Sequence, residues 1–259
     1  MSERFAARGA WICHRGKVRA MNEDACLLGT KISVSGTSNP ASFELRSAPW
    51  IVAVSDGIGG HHAGAEASRA VVGILSRCKR VTPAHVAAIL CRLNRQLCAR
   101  GRKERTCAGM GATVAGIGCG SHGLFAFHVG DSRIYRHEGA TLTQITRDDS
   151  EAEDLIELGL LRPGNGMRPA FLHSLTQAIG GRMEVVEIHP HTQPLAVEKH
   201  ARFLVCSDGL TDMLATSDLE TLMNAKPCAK EAVRALFDMA MQAGGLDNIS
   251  IALLDVTRL

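Results

Sequence analysis

Residues 112–145 read ATVAGIGCGSHGLFAFHVGDSRIYRHEGATLTQI. Four strand-like runs, at 112–117, 123–129, 133–137 and 141–145, follow one another closely with glycine in the turns between them. Runs this short and this close predict an antiparallel meander. Two helical segments precede it. The first covers about 63–78, with Ala67, Val71, Ile74 and Cys78 at helical spacing. The second opens with Thr82-Pro83, an N-cap followed by proline in the first turn. It carries Val86, Leu90, Leu93 and Leu97 on one stripe and stops at Gly101. Further upstream lie β patterns at 10–13, 25–28 and 50–54, with the turn-rich stretch 36–49 as a loop or ragged hairpin. Downstream, a polar segment at 147–182 holds a weak helix at 152–158, and strands recur at 185–189 and 202–206. One more helix starts at the capping box Ser217-Asp218-Leu219-Glu220, another covers 230–243, and a strand at 249–256 closes the series. Strands, a helix pair, strands, a helix pair and a strand do not make a βαβ rhythm. The order fits antiparallel sheets covered by helices, an α+β layer fold.

Composition narrows the function. The chain has 259 residues, 46% hydrophobic and 21% charged, enough apolar material for a sizeable core, and no linker or repeat divides it. One domain spanning 1–259 is expected. A net charge of +3 and 4% aromatic residues argue against a nucleic-acid partner. No apolar run approaches the roughly 20 residues of a membrane span, and the first residues lack the apolar stretch of a signal peptide. Nine cysteines, an odd number with no C-x-x-C pair, fit a reducing cytoplasmic setting better than a disulfide or zinc framework.

The acidic residues stand where strands stop. Glu23 and Asp24 begin the second β pattern, and Asp131 follows Phe-His-Val-Gly. Asp56 and Asp208 each end an apolar strand in Ser-Asp-Gly, and Asp247 precedes the last strand. Asp-Gly after a strand is by itself a turn signal. Several carboxylates aimed from one sheet edge would repel one another and stay ionised together only with cations between them. Oxygen-only donors favour hard ions such as magnesium or manganese. No G-x-S-x-G, H-E-x-x-H or Walker motif competes, and Gly57-Ile58-Gly59-Gly60 reads as a phosphate cradle or as a turn.

Arg19-Ala-Met-Asn-Glu23-Asp24, Val54-Ser-Asp56-Gly57-Ile-Gly-Gly-His61, Gly111-Ala-Thr113, Val129-Gly-Asp131-Ser-Arg133, Cys206-Ser-Asp208-Gly-Leu210 and Asp247-Asn-Ile-Ser250 together resemble the type 2C metal-dependent protein serine/threonine phosphatases, above all their bacterial branch. The motifs occur in the family's order and span residues 19–250. The resemblance implies a four-layer αββα sandwich, two antiparallel sheets flanked by pairs of helices. It implies two ions, manganese or magnesium, sharing a bridging water that attacks phosphoserine or phosphothreonine on a protein. Asp24 and Asp56 would bind the ions with the Gly57 carbonyl, Asp208 and Asp247 would complete one shell, and Glu23 would act through coordinated water. Asp131 would join Asp208 at a third, weaker site. Arg19 would take the substrate phosphate in a bidentate fork. His61 matches the family's Gly-Gly-His and is a candidate general acid, with a solvated loop histidine as the alternative for it and for His62. His189 and His191 flank Pro190 without an assigned role.

Two departures border the flap-like segment 147–182. Asp148-Asp149-Ser150 stands where the family often has Asp-His-Ser, and Leu175-Thr-Gln-Ala-Ile-Gly180 where it often has Leu-Thr-Arg-Ala-Leu-Gly. They mark the substrate-facing surface as individual. Residues 77–105 carry nine Lys and Arg against Glu104 alone, a local +8 against −5 for the remainder. That segment is a solvated helix face or a docking surface for an acidic partner. The leading expectation is a cytoplasmic phosphatase opposing a cognate serine/threonine kinase. A catalytically silent phosphoprotein binder and a phosphoesterase for small esters are the alternatives.

Overall fold

The computed structural model describes residues 4–34, 39–59, 62–162 and 174–259. Its strands are β1 (Phe5–His14), β2 (Ala25–Leu28), β3 (Lys31–Ser33), β4 (Ala41–Leu45), β5 (Trp50–Ser55), β6 (Gly57–Ile58), β7 (Gly111–Ala112), β8 (Val114–Gly120), β9 (Gly123–Val129), β10 (Arg133–Glu138), β11 (Thr141–Gln144), β12 (Ile179–Gly180), β13 (His191–Leu195), β14 (His200–Cys206) and β15 (Ile249–Arg258). The helices are α1 (His62–Ser76), α2 (Pro83–Lys103), α3 (Glu151–Glu157), α4 (Asp208–Thr211), α5 (Thr216–Ala225) and α6 (Ala229–Gln242).

Two six-stranded sheets form, ordered β11-β10-β14-β15-β1-β4 and β13-β9-β8-β5-β2-β3, with every pairing antiparallel. The central strands bury both faces. In β5, Trp50, Val52 and Val54 enter the core between the sheets, while Ile51 and Ala53 pack under α1 and α2. In β15, Ala252, Leu254 and Val256 face the same central core, and Ile249, Ile251 and Leu253 pack under α5 and α6. Side chains alternate across a strand, so a sheet inside four layers must be apolar on both faces. The αββα sandwich implied by the family resemblance is the architecture observed.

The meander is where local spacing and tertiary structure part. β8 pairs with β9 in one sheet, and β10 pairs with β11 in the other. The chain changes sheets at Gly130-Asp131-Ser132, with Gly130 at φ +98°. Turns within a sheet and between stacked sheets use the same residues. Residues 185–189 form no strand. Val185 and Val186 are exposed, and Asn94 Nδ2 and Cys91 Sγ of α2 donate to the Val186 and Ile188 carbonyls, so side chains replace a neighbouring strand. The strand comes later, as β13.

Helix ends are mostly as read. Thr82 caps α2, its Oγ1 accepting from His85 N at 3.3 Å. The helix continues past Gly101 to Lys103, and the 3-10 turn Arg105–Cys107 packs against that glycine. In α5 the N-cap is Ala215, two residues before Ser217, and Asp218 accepts from the Ala215 N–H at 3.1 Å. The Ser217–Glu220 box does not form: Glu220 instead accepts from Leu142 N at 2.7 Å. Within 36–49, residues 41–45 form the edge strand β4. No helix among the described residues is long and apolar enough to cross a membrane.

Thr82→Ala removes a cap while leaving Pro83 in place. It is expected to lower unfolding free energy by about 1 kcal/mol in urea titrations, without altering activity. An unchanged midpoint would show that tertiary packing alone holds the start of α2.

Candidate metal centre

Antiparallel registry brings the acidic strand ends together. Ala25 pairs with Ser55, which sets Asp24 beside Asp56 across one sheet. Cys206 pairs with Ile251, and His14 with Ile249, which gathers Asp208, Asp247 and the 15–24 connection at the end of the other. Asp131 lies in the crossing between sheets. Ser207 ties the sheets at this edge, its Oγ donating to Asp24 Oδ2 at 2.9 Å and accepting from Ser250 N at 3.0 Å. Behind Asp56, Ser55 Oγ donates to the Thr113 carbonyl, and Thr113 Oγ1 accepts from Asp56 N and bonds Ser132 Oγ at 2.7 Å.

The glycine of each Ser-Asp-Gly has a steric reason. A Cβ on Gly57 would lie 2.3 Å from the Gly64 carbonyl oxygen and 2.7 Å from that of Glu23. On Gly209 it would lie 1.9 Å from the Asn248 carbonyl oxygen. Both aspartates therefore sit where another backbone presses against the following residue.

Glu23, Asp56, Gly57, Asp131, Asp208 and Asp247 line one cleft of about 520 Å³, which Arg19 also lines. Asp24 is 1% exposed and interacts electrostatically with Asp56 and Asp208. Arg19 donates to Asp247 Oδ2 at 2.5 Å. Burial, then repulsion from Asp208, pushes Asp24 up to about 7 against hydrogen bonds that favour its charge. Burial, with Asp212 and Asp247 beside it, raises Asp208 to about 6. Asp56 and Asp131 are pushed well above the carboxylate range by burial and then by neighbouring aspartates. Asp24 Oδ1 and Asp208 Oδ1 are buried and have no hydrogen-bond partner among the described residues. Buried oxygens without donors are costly, and these sit among carboxylates. An all-oxygen donor set of this kind fits hard divalent cations.

A family model for protein phosphatase 2C matches residues 29–247. The chain belongs to the protein phosphatase 2C family. Serine/threonine protein phosphatase PstP of Mycobacterium tuberculosis is 30% identical over 260 residues, covering 98% of this chain and 45% of PstP. The chain thus spans about half the length of that relative. Serine/threonine phosphatase stp of Listeria welshimeri is 31% identical over 253 residues, covering 93% of this chain and 92% of stp. The crystal structure of the PstP catalytic domain in complex with two manganese ions superposes with a TM-score of 0.77 at 28% identity, covering 98% of this chain and 99% of that one.

Against that family background, Gly57-Ile58 is strand β6, paired to β7, rather than a free phosphate cradle. His61 lies outside the described residues, and His62 begins α1, exposed. Three contributors carried no assigned role in the sequence. Asn248, 4% exposed, accepts from Glu23 N at 2.7 Å and donates to the Arg15 and Met21 carbonyls, stitching the 15–24 connection to β15. Arg182 lines the cleft from the segment after β12. Asp149, in the departure from Asp-His-Ser, accepts from Gly130 N beside Asp131 at 2.8 Å. An Asp-Asn before a strand signals a turn, and nothing local tells which backbone its amide will reach.

Folded Asp24 and Asp208 hold protons more tightly than the unfolded chain, whose aspartates titrate near 3.8. In metal-free protein their contribution to stability is full below the unfolded value and is lost as pH rises through about 4 to 7. The melting temperature of metal-free protein is therefore expected to fall over that range, and manganese at pH 7.5 to restore it. A melting temperature independent of pH and manganese would contradict the electrostatics.

Proposed function

We propose that this chain is a metal-dependent protein serine/threonine phosphatase, hydrolysing phosphoserine and phosphothreonine on protein substrates. One observation carries the reading: five carboxylates from five separate chain segments line one cleft with Asp24 buried beside them, and Asp24 and Asp208 each hold a buried oxygen with no donor among the described residues. A cleft so acidic repels a phosphoester dianion, and Arg19 and Arg182 are its only lining cations among the described residues. Substrate phosphate can enter only once bound cations reverse that charge. Asp24, Asp56, the Gly57 carbonyl, Asp208 and Asp247 would hold two divalent ions, manganese or magnesium, with Glu23 in support and Asp131 beside Asp208 for a third. Such ions, when bound, acidify water and neutralise phosphoryl oxygens.

The remaining roles belong to the chain. Asp247 orients Arg19, whose guanidinium has five donors, enough to grip phosphate oxygens as well. Ser207, Thr113 and Asn248 position the carboxylates and the Glu23 backbone. His61 is the candidate proton donor to the leaving seryl or threonyl oxygen, close in sequence to Asp56. Residues 147–182 would flank the cleft as a substrate-facing flap within one catalytic unit spanning 1–259. A bacterial kinase is the expected opposing partner. The exposed Arg92, Arg95, Arg102, Lys103 and Arg105 on and after α2 would suit an acidic one. Nine free thiols support a cytoplasmic setting.

Chelator-stripped protein is expected to be inactive on a phosphothreonine peptide and to recover with manganese or magnesium. Full turnover without divalent metal would exclude the mechanism. Asp56→Asn and Asp208→Asn should each lower kcat by orders of magnitude in folded protein. Near-normal turnover in either would remove that residue from the ligand set.

Arg19→Ala should raise KM for phosphopeptide with a smaller loss of kcat, leaving the manganese isotherm unchanged. Arg19→Lys should rescue only in part, because one ammonium cannot reproduce a planar fork. Unchanged kinetics in Arg19→Ala would refute the phosphate role.

A further inference from the structure

Away from the acidic cleft, β9 and β13 set two histidines directly opposite each other, His128 paired with His191. Their rings are stacked, with centroids 4.5 Å apart and planes 13° from parallel. Asp149 completes the group: its Oδ1 lies 2.9 Å from His191 Nε2. One ring nitrogen from each histidine and one Asp149 oxygen all lie within 4.8 Å of one another. Asp149 and His128 are buried, and His191 opens to solvent, so an ion could enter from one side.

The surroundings hold the three side chains in place. His128 Nε2 bonds the Arg147 carbonyl at 2.8 Å. Asp149 Oδ2 accepts from Gly130 N at 2.8 Å and from Gln177 Nε2 at 3.0 Å. Such outer partners fix the orientation of ligating histidines and carboxylates. Burial lowers the His128 pKa, so the ring is neutral near pH 7 and keeps a lone pair. Two imidazoles and one carboxylate differ in kind from the all-oxygen cleft: imidazole suits zinc and its neighbours, not magnesium.

We propose that His128, His191 and Asp149 form a second metal site, selective for a borderline divalent transition ion such as zinc, with solvent completing its coordination. The ion takes the place of the hydrogen bond between His191 and Asp149 and leaves the Asp149 bonds to Gly130 and Gln177 in place. Gly130 precedes Asp131, and Thr176 and Ala178 on either side of Gln177 line the acidic cleft. Occupancy therefore braces one wall of that cleft from outside.

Cobalt(II) reads the site directly, because nitrogen-ligated cobalt of low coordination number absorbs strongly in the visible and an all-oxygen six-coordinate ion does not. The whole chain, held in excess magnesium to occupy the carboxylate cleft, is titrated with cobalt and then with zinc. One equivalent of the visible band is expected, displaced by zinc. His191→Ala, an exposed position whose loss leaves the core intact, should weaken cobalt binding about tenfold or more. Asp149→Asn should do the same, with circular dichroism confirming the fold. Three results would overturn the site: no visible band, a band unchanged in folded His191→Ala, or a band lost in Asp208→Asn but kept in His191→Ala. The last would put the cobalt in the carboxylate cleft.

Discussion

Repulsion among carboxylates confined at one end of a β-sandwich is the constraint on which the other features turn. Asp24, Asp56, Asp131 and Asp208 are each driven toward protonation by burial and by one another. A flexible loop would relieve that repulsion by moving apart. Here each residue leaves a rigid strand within a residue or two, and the strands are locked by cores on both faces. The fold stores the unfavourable arrangement, and cations held between the carboxylates would release it.

Small polar side chains translate this rigidity to the site. Ser207 spans the two sheets between Asp24 and β15. Thr113 links the backbone of Asp56 to Ser132 beside Asp131. Asn248 fastens the 15–24 connection to the opposite sheet through three backbone contacts, one of them to Glu23. None of these needs to touch substrate. Each fixes a carboxylate position to within a hydrogen bond, the tolerance a metal centre demands. Gly57 and Gly209 let neighbouring backbones approach so closely that any side chain would force the acidic loops outward.

The flank of the cleft follows the same logic with different chemistry. Asp149, in the departure from Asp-His-Ser, ties Gly130 to Gln177 and meets two stacked histidines. The acidic edge is built from oxygen donors, whereas its wall is built around imidazole. The two groups can answer to different ions.

Much of this was legible from residues alone. Apolar periodicity located α1, α2, α6 and the inner strands to within a few positions, because burial on a helix or sheet face imposes its period on the chain. Carboxylates at strand ends, repeated in order, marked the edge that would carry chemistry, and glycines after Asp56 and Asp208 marked close backbone approach. Pairing of distant elements was not legible. The change of sheet at Gly130–Ser132, the replacement of a strand at 185–189 by side-chain bonds from α2, the reach of Asn248 and the meeting of His128 with His191 all depend on partners far along the chain. Local sequence sets which backbone shapes and faces are favourable, since those energies arise between near neighbours. Which faces meet is decided only when the cores close, and that step brought five carboxylates to one cleft with Asp24 buried beside them.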